Sequence, residues 1–357
     1  MDKRRLIMVP GPTNVPDRVF RAMMKPIISH RGSEFRTLYK RISENLKYLF
    51  QTDGEVFVLT ASGTGGVECA ISNIVNPGDK VEYGDAPRVS QIEEAVREHR
   101  DLKAIAIVYN ETSTGVTVRD LPKIGEVAKE FGIPLIVDAV SILGGDKLPV
   151  DEWGIDICVA GSQKCLACPP GISLISVSDE AWEIIGKTIS RPFYFDLIRM
   201  REFASRFETP FTPAIPLLYA LDESLKMIRE EGLEKRFRRH RVCGEAFYDA
   251  VEAMGLEPFP KRDVRSNTVI AFKKPSEMDG LRVREIMRDR YNVVIAGGAG
   301  RLKDQIFRIG CMGAISEAET LITISALENA LKDVGYPVEI GAGIKAARTR
   351  FSSHPIE

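Results

Sequence analysis

Ile133-Pro134-Leu135-Ile136-Val137-Asp138 and Ile157-Cys158-Val159-Ala160-Gly161-Ser162-Gln163-Lys164 are two short apolar runs with polar ends, and the lysine of the second stands 26 residues beyond the aspartate of the first. Short runs of this kind read as buried strands. Similar β-rich runs at Val56–Thr60 and Ala104–Tyr109 alternate with helix-period stretches such as Leu121–Phe131. That alternation predicts an α/β fold with a largely parallel sheet and helices on both faces. In such sheets ligands sit beyond the carboxyl ends of the strands. The residues there are Ser62-Gly63-Thr64, Asn110-Glu111-Thr112, Asp138 and Ser162-Gln163-Lys164, all polar or small and expected to converge.

Beyond Pro213 the pattern turns helical. Leu217, Leu218, Leu221, Leu225 and Ile228 recur at spacings of one, three and four, and a second helix is expected through Phe237–Met254. A new series follows, with strands near Thr268–Phe272, Val293–Ala296 and Ile306–Ile309 and helices near Leu281–Arg290 and Glu317–Leu331. A chain of 357 residues exceeds one ordinary core. The expected division is a large domain over 14–240, a smaller C-terminal α/β domain over 241–340 joined by residues 1–13, and a poorly ordered tail over 341–357.

The composition is that of a globular protein handling small metabolites. It is 44% apolar and 28% charged with a net charge of -1, which argues against nucleic-acid and acidic-membrane partners. The apolar run ending at Pro10 is too short for a signal-peptide core, and no stretch reaches the length of a membrane span. Six scattered cysteines make no disulfide framework. A cytoplasmic location is therefore expected.

Three features carry chemistry. Ser62-Gly63-Thr64-Gly65-Gly66 joins a strand to a helix, so its free amides and the positive helix end suit a phosphate; a plain tight turn has the same appearance. Asp138 closes an apolar strand, where a carboxylate needs a cationic partner such as a protonated ring nitrogen; an isolated Asp there would serve as a helix cap or ion-pair partner. Lys164 sits among small uncharged residues after a core strand, where desolvation favours a free amine able to form an imine; an isolated lysine would be surface decoration.

In this order, with an arginine ending a C-terminal strand, the parts resemble the class V aminotransferases of pyridoxal phosphate (PLP) fold type I, closest to the alanine/serine–glyoxylate group. The resemblance runs from Val9-Pro10-Gly11-Pro12-Thr13 through Ser62-Gly63-Thr64, Asn110-Glu111-Thr112-Ser113-Thr114-Gly115, Asp138-Ala139-Val140-Ser141, Gly161-Ser162-Gln163-Lys164 and Thr209-Pro210-Phe211-Thr212-Pro213 to Phe307-Arg308-Ile309-Gly310. It implies that Lys164 forms the Schiff base with PLP, Asp138 pairs with the pyridine nitrogen, Val140 packs on the ring and Thr112 bonds the phenolic oxygen. The phosphate would rest on Ser62, Gly63, Thr64 and Gln163, joined by Thr209 and Thr212 of a second subunit, so a homodimer with shared active sites is expected. Arg308 would clamp the substrate carboxylate, with the backbone at Gly11 closing over it. The implied reaction moves the amino group of a small amino acid (alanine, serine or aspartate) to glyoxylate, pyruvate or another short 2-oxo acid by a ping-pong route.

The chain departs from this pattern in one place. After Asn76-Pro77-Gly78-Asp79-Lys80-Val81 the family has a strand and helix bearing an aromatic that stacks on PLP, whereas here Glu82-Tyr83-Gly84 leads to the helix Ile92–His99. About one crossover's worth of residues is missing. Cys165-Leu166-Ala167-Cys168 has C-x-x-C spacing without a second pair, and the four histidines lack ligand spacing, so no metal site is expected. The basic run Lys235–Arg241 reads as a solvated helix face or dimer contact. Cys311, after the arginine strand, raises a lyase or cysteine desulfurase as the rival enzyme, though desulfurases place His where Gln163 stands. A non-catalytic protein of the same fold is the third reading.

Overall fold

Five mostly apolar runs form the central sheet, because strands covered on both faces need no strict alternation. The computed structural model describes residues 5–75, 88–99, 101–189 and 191–356. The stretch around Val81 and Tyr83, where the ring-stacking aromatic was sought, lies outside the described residues. In chain order the helices and strands are β1 (Leu6–Ile7), α1 (Asp17–Ala22), α2 (Ser33–Phe50), β2 (Glu55–Leu59), α3 (Gly63–Ile74), α4 (Val89–Glu98), β3 (Ile105–Val108), β4 (Asn110–Glu111), β5 (Val116–Thr117), α5 (Leu121–Phe131), β6 (Leu135–Asp138), β7 (Ile157–Gly161) and β8 (Ser173–Val177). They continue with α6 (Asp179–Ile185), α7 (Leu197–Ala204), α8 (Ile215–Glu231), α9 (Leu233–Ala253), β9 (Val269–Lys273), α10 (Gly280–Arg290), β10 (Val293–Val294), β11 (Ala296–Gly297), β12 (Ile306–Gly310), α11 (Glu317–Asp333) and α12 (Ala342–Ser353).

The main sheet runs β2-β8-β7-β6-β3. The pairs β3/β6 and β6/β7 are parallel, while β8 runs against both β7 and β2. Four strands thus point one way and deliver their carboxyl ends to one edge. The reversed strand β8 was not anticipated from the sequence. Close packing of α3 on this sheet requires glycine: a Cβ at Gly66 would fall 2.0 Å from Ser173 Oγ and 2.7 Å from a Val159 methyl.

Two apolar clusters flank the main sheet; one holds Phe35, Leu46, Val137 and Leu221, the other Phe57, Ile136, Val159 and Ile175. A third gathers Met8 with Phe247, Phe272, Phe307 and Leu327 around the antiparallel sheet β11-β12-β9. Strand β1 pairs in parallel with β10, so the N-terminal segment is stitched to the C-terminal part of the chain. The tail is ordered, contrary to expectation. Residues from Ala342 form α12, which buries Ala347 and Phe351 in the third cluster, and Gly343 N donates to the buried Glu328 carboxylate at 2.6 Å. Apolar residues spaced by four among Lys and Arg hid that helix from a composition-based reading.

Candidate active site

Lys164 follows β7 on a loop that folds back on itself. Cys168 N donates to Ser162 O at 3.0 Å, Ser162 Oγ donates to Pro169 O at 2.7 Å, and Ala167 N donates to Lys164 O at 3.0 Å. The N-terminal segment lies across this loop: Thr13 N donates to Gln163 O at 3.1 Å and Thr13 Oγ1 to Lys164 O at 3.2 Å. Lys164 Nζ donates to the Pro10 carbonyl. Gly11 has φ +99°, and a Cβ there would meet the lysine stem at 2.5–2.8 Å. Only glycine lets the segment lie that close. Burial lowers the Lys164 pKa; Cys165 and Asp138 oppose it, and the Arg308 charge adds the smallest effect in the lowering direction.

Asp138 ends β6, and its Oδ1 accepts from Val140 N at 2.9 Å. Burial raises its pKa, the Val140 amide opposes, Glu111 adds a like charge, and Lys164 draws it back. The carboxyl is therefore held above its ordinary range until a cation approaches. Val140 bridges to the glycine-rich turn: a Cβ on Gly63 would fall 2.8 and 2.9 Å from its methyls, and one on Gly161 3.0 Å from Gln163 Oε1. Ser62 caps α3, its Oγ accepting from Gly65 N at 3.3 Å, which leaves the Gly63 and Thr64 amides ahead of the helical ladder.

Arg308 projects from β12 and is held from both sides. Its Nε donates to Gly297 O at 2.8 Å and its Nη1 to Thr112 O at 2.9 Å. Neither bond uses Nη2. Burial lowers its pKa and Glu111 opposes. The Thr112 turn is shaped by Glu111, whose carboxylate accepts from Ser113 N at 2.7 Å. Behind the turn runs a buried polar seam. Asn110 Nδ2 donates to Ser141 Oγ (2.7 Å) and Thr268 Oγ1 (3.3 Å), Thr117 Oγ1 donates to Asn110 Oδ1 (2.8 Å), and Thr268 Oγ1 donates to Ser141 O (2.9 Å). It fixes the turn carrying Thr112 against the loop after Asp138 and the start of β9.

The structure thus gathers Gly11, Gly63, Thr112, Asp138, Val140, Gln163, Lys164 and Arg308 around the carboxyl edge of the sheet, with Ser62 and Thr64 on the adjoining turn. Thr209 and Thr212 lie elsewhere on that edge: Thr209 Oγ1 donates to Phe211 O at 2.8 Å, Thr212 is exposed, and Ala214 N donates to Thr60 Oγ1 at 3.3 Å. Among the described residues no hydrogen bond joins either threonine to the Lys164 segment.

Two sequence readings change. Lys235, Arg238 and Arg241 are solvated as expected, but Arg236 and His240 are buried and Arg239 nearly so, because α9 turns that side of the basic run inward against the Lys164 loop. Cys311 is 0% exposed and donates to His240 O at 3.6 Å, and burial raises its thiol pKa well above normal, so it sits packed in the core with its thiol protonated. Cys165 and Cys168 are packed in the loop, where burial pushes both thiols up to about 12. Sequence reasoning missed the Pro10 carbonyl, Glu111 and Arg236 as contributors. The first two lay inside quoted motifs; the third had no signal, because its burial is tertiary.

The pattern described as aminotransferase class V matches residues 80–303. An uncharacterized aminotransferase of Methanocaldococcus jannaschii is 40% identical over 375 residues, covering 97% of each chain. A serine–glyoxylate aminotransferase of Methylorubrum extorquens is 36% identical over 395, covering 99% of this chain and 97% of its own. Both alignments exceed the 357 residues present, so these relatives carry residues that have no counterpart here. A ureidoglycine–glyoxylate aminotransferase of Bacillus subtilis superposes with a TM-score of 0.91 at 29% identity, covering 98% of each chain. With Lys164, Asp138 and Arg308 meeting at the carboxyl edge of an α/β sheet, the chain belongs to the class V aminotransferases, enzymes of PLP fold type I that depend on pyridoxal phosphate.

Proposed function

We propose that the enzyme moves the amino group of a small amino acid, alanine, serine or aspartate, to glyoxylate, pyruvate or another short 2-oxo acid in a ping-pong cycle. The observation that carries this reading is the facing trio of Lys164, Asp138 and Arg308: an amine with a lowered pKa, a half-buried carboxyl with a raised pKa awaiting a cation, and a guanidinium with Nη2 unused by its two backbone bonds. The names of the M. extorquens and B. subtilis relatives support glyoxylate as acceptor.

The residues present fit PLP. Gln163 Oε1 and Thr114 Oγ1 are buried without a hydrogen-bond partner among the described residues. An amide or hydroxyl so placed is satisfied by a bound polar group. Gln163, Ser62 and the amides of Gly63 and Thr64 would hold the phosphate, Thr112 the phenolic oxygen, Val140 the ring face, and Asp138 the protonated ring nitrogen. Thr209 and Thr212 would reach the phosphate of the second subunit, making the homodimer the working unit. When bound, PLP supplies an electron sink for the carbanion at the substrate Cα. Arg308 pairs with the substrate carboxylate, and its fixed fork orients the Cα–H bond. Lys164, kept as an amine by burial, would take the proton from the substrate Cα and deliver it to the cofactor carbon on the far side of the transferred nitrogen. Asp138 keeps a proton on the ring nitrogen by holding a negative charge against it.

The proposal includes the division into a 14–240 domain and a smaller one of 1–13 with 241–340, supported by the separate apolar clusters. It also includes a cytoplasmic location, supported by six free, buried cysteines. Among the described residues no helix is long and apolar enough to cross a membrane.

The test is a panel of alanine, serine and aspartate against glyoxylate, pyruvate and 2-oxoglutarate, with initial rates measured while both substrates vary. Parallel double-reciprocal lines and loss of transfer in Lys164→Ala are expected. Transfer retained by that variant, or sulfide release from cysteine without amine transfer, would overturn the reading.

A further inference from the structure

Arg236 on α9 is only 4% exposed and touches three chain segments at once. Its Nε donates to Gly144 O at 2.8 Å, its Nη2 donates to Cys165 O and, at 3.3 Å, to Gly313 O, and its Nη1 pairs with Glu231 at 2.7 Å. Each carbonyl belongs to a segment bearing a reacting group. Gly144 closes the loop that begins at Asp138, Cys165 is the residue after Lys164, and Gly313 lies five residues beyond Arg308. The first two segments already touch, since a Cβ on Gly145 would fall 2.6 Å from Cys165 Sγ.

Burying a guanidinium is costly, and an apolar side chain of similar volume often fills such a space with equal or greater stability. Here burial and the neighbouring Arg239 lower the Arg236 pKa, and Glu231 opposes them only in part. A planar fork has what an apolar residue lacks: several donors at fixed angles, able to hold separate carbonyls in one geometry. Arg239 shares Glu231 and donates to Gly313 O and Ile315 O, and among the described residues it hydrogen-bonds neither the Asp138 loop nor the Lys164 loop. We propose that Arg236 is a positioning residue that, through the carbonyls of Gly144, Cys165 and Gly313, sets the Lys164 amine in register with Asp138 and Arg308. The inference rests on Lys164 being the base assigned above.

Arg236→Lys keeps the charge and loses the fork; Arg236→Gln with Glu231→Gln leaves no unpaired charge; Arg239→Gln removes a second hold on Gly313 and Glu231 but leaves the Arg236 bonds to Gly144 and Cys165 in place. In cofactor-free protein, acetylation of Lys164 by acetic anhydride, read by mass spectrometry against the other lysines, should be several-fold faster in both Arg236 variants and unchanged in Arg239→Gln. In loaded enzyme, kcat should fall about 10- to 100-fold with KM moving less than about threefold, as a displacement near 1 Å would produce. Arg239→Gln should lower the melting temperature without that split. Wild-type Lys164 labelling and kcat in Arg236→Lys, or the same changes in Arg239→Gln, would show a purely structural role and overturn the proposal. If the double variant fails to fold, Glu231→Gln, which frees the guanidinium on one side, must reproduce the faster labelling or the proposal fails. Failure of the functional reading is distinguishable: transfer surviving Lys164→Ala would remove the base, whereas the labelling comparison in cofactor-free protein would stand on its own.

Discussion

Replacing Gly11 with alanine should separate stability from catalysis. The new methyl would lie 2.5 Å from Lys164 Cδ, 2.7 Å from Cε and 2.8 Å from Nζ, at a backbone φ of +99°. Ordinary van der Waals contact begins near 3.4 Å, so the stem must retreat by about 0.9 Å. In cofactor-free protein the lysine is a flexible chain that can swing aside, and the main penalty is the backbone strain of about 1–3 kcal/mol. In loaded enzyme the proposed bond from Lys164 ties the amine to the cofactor, so it cannot retreat without losing aim. A misplacement of about 1 Å costs on the order of 100-fold in rate. We therefore expect kcat for alanine–glyoxylate transfer to fall about 100-fold while urea unfolding of the cofactor-free protein shifts by no more than about 3 kcal/mol. Stopped-flow mixing of loaded enzyme with alanine isolates the first half-reaction. A rate within threefold of wild type would refute the idea that the Pro10–Gly11 segment sets the position of Lys164.

Arg308→Lys should raise KM for donor and acceptor about 10- to 100-fold, because an ammonium cannot hold Thr112 O, Gly297 O and a carboxylate together; steady-state kinetics on both substrates check it. Asp138→Asn should abolish transfer yet stabilise the cofactor-free protein. The folded carboxyl has a pKa above 3.8, so the folded state holds its proton more tightly than the unfolded one and wild-type stability falls as pH rises through that window. The advantage of the variant should grow with pH from about 4 and then level off, and urea midpoints across that range that run parallel would contradict the sign. Deleting residues 342–357 removes Phe351 and Ala347 from the third apolar cluster, and a loss of at least about 3 kcal/mol is expected by denaturant unfolding.

Residues whose role is set by strand order were legible in the chain. Asp138 and Lys164 end neighbouring strands, and once the alternation of apolar runs and helices is read, their meeting follows from topology. Strand β8 was missed because Ser173 and Ser176 interrupt its apolar run; both are buried, and Ser173 Oγ donates to Ala160 O at 3.1 Å. Arg236 was misread for the opposite reason. Four arginines in the run Lys235–Arg241 look alike in sequence, and only the packing of α9 against the Lys164 loop decides which face inward. Helix α12 shows the same limit: Lys345, Arg348 and Arg350 break up its apolar residues in sequence, yet Ala347 and Phe351 are buried in the helix that packs on α9.

The seam of Asn110, Thr117, Ser141, Ser266 and Thr268 has a consequence for how such a sequence can change over generations. Each of the five bonds at least one other member through its side chain or backbone, and each is buried. A single apolar replacement would strand its neighbour, at about 1–3 kcal/mol per buried orphan, whereas replacing partners together can be nearly neutral. These positions should therefore drift in concert or not at all. Side chains that never reach the substrate would then show linked histories across the family, because the junction they form fixes where Thr112 meets Arg308.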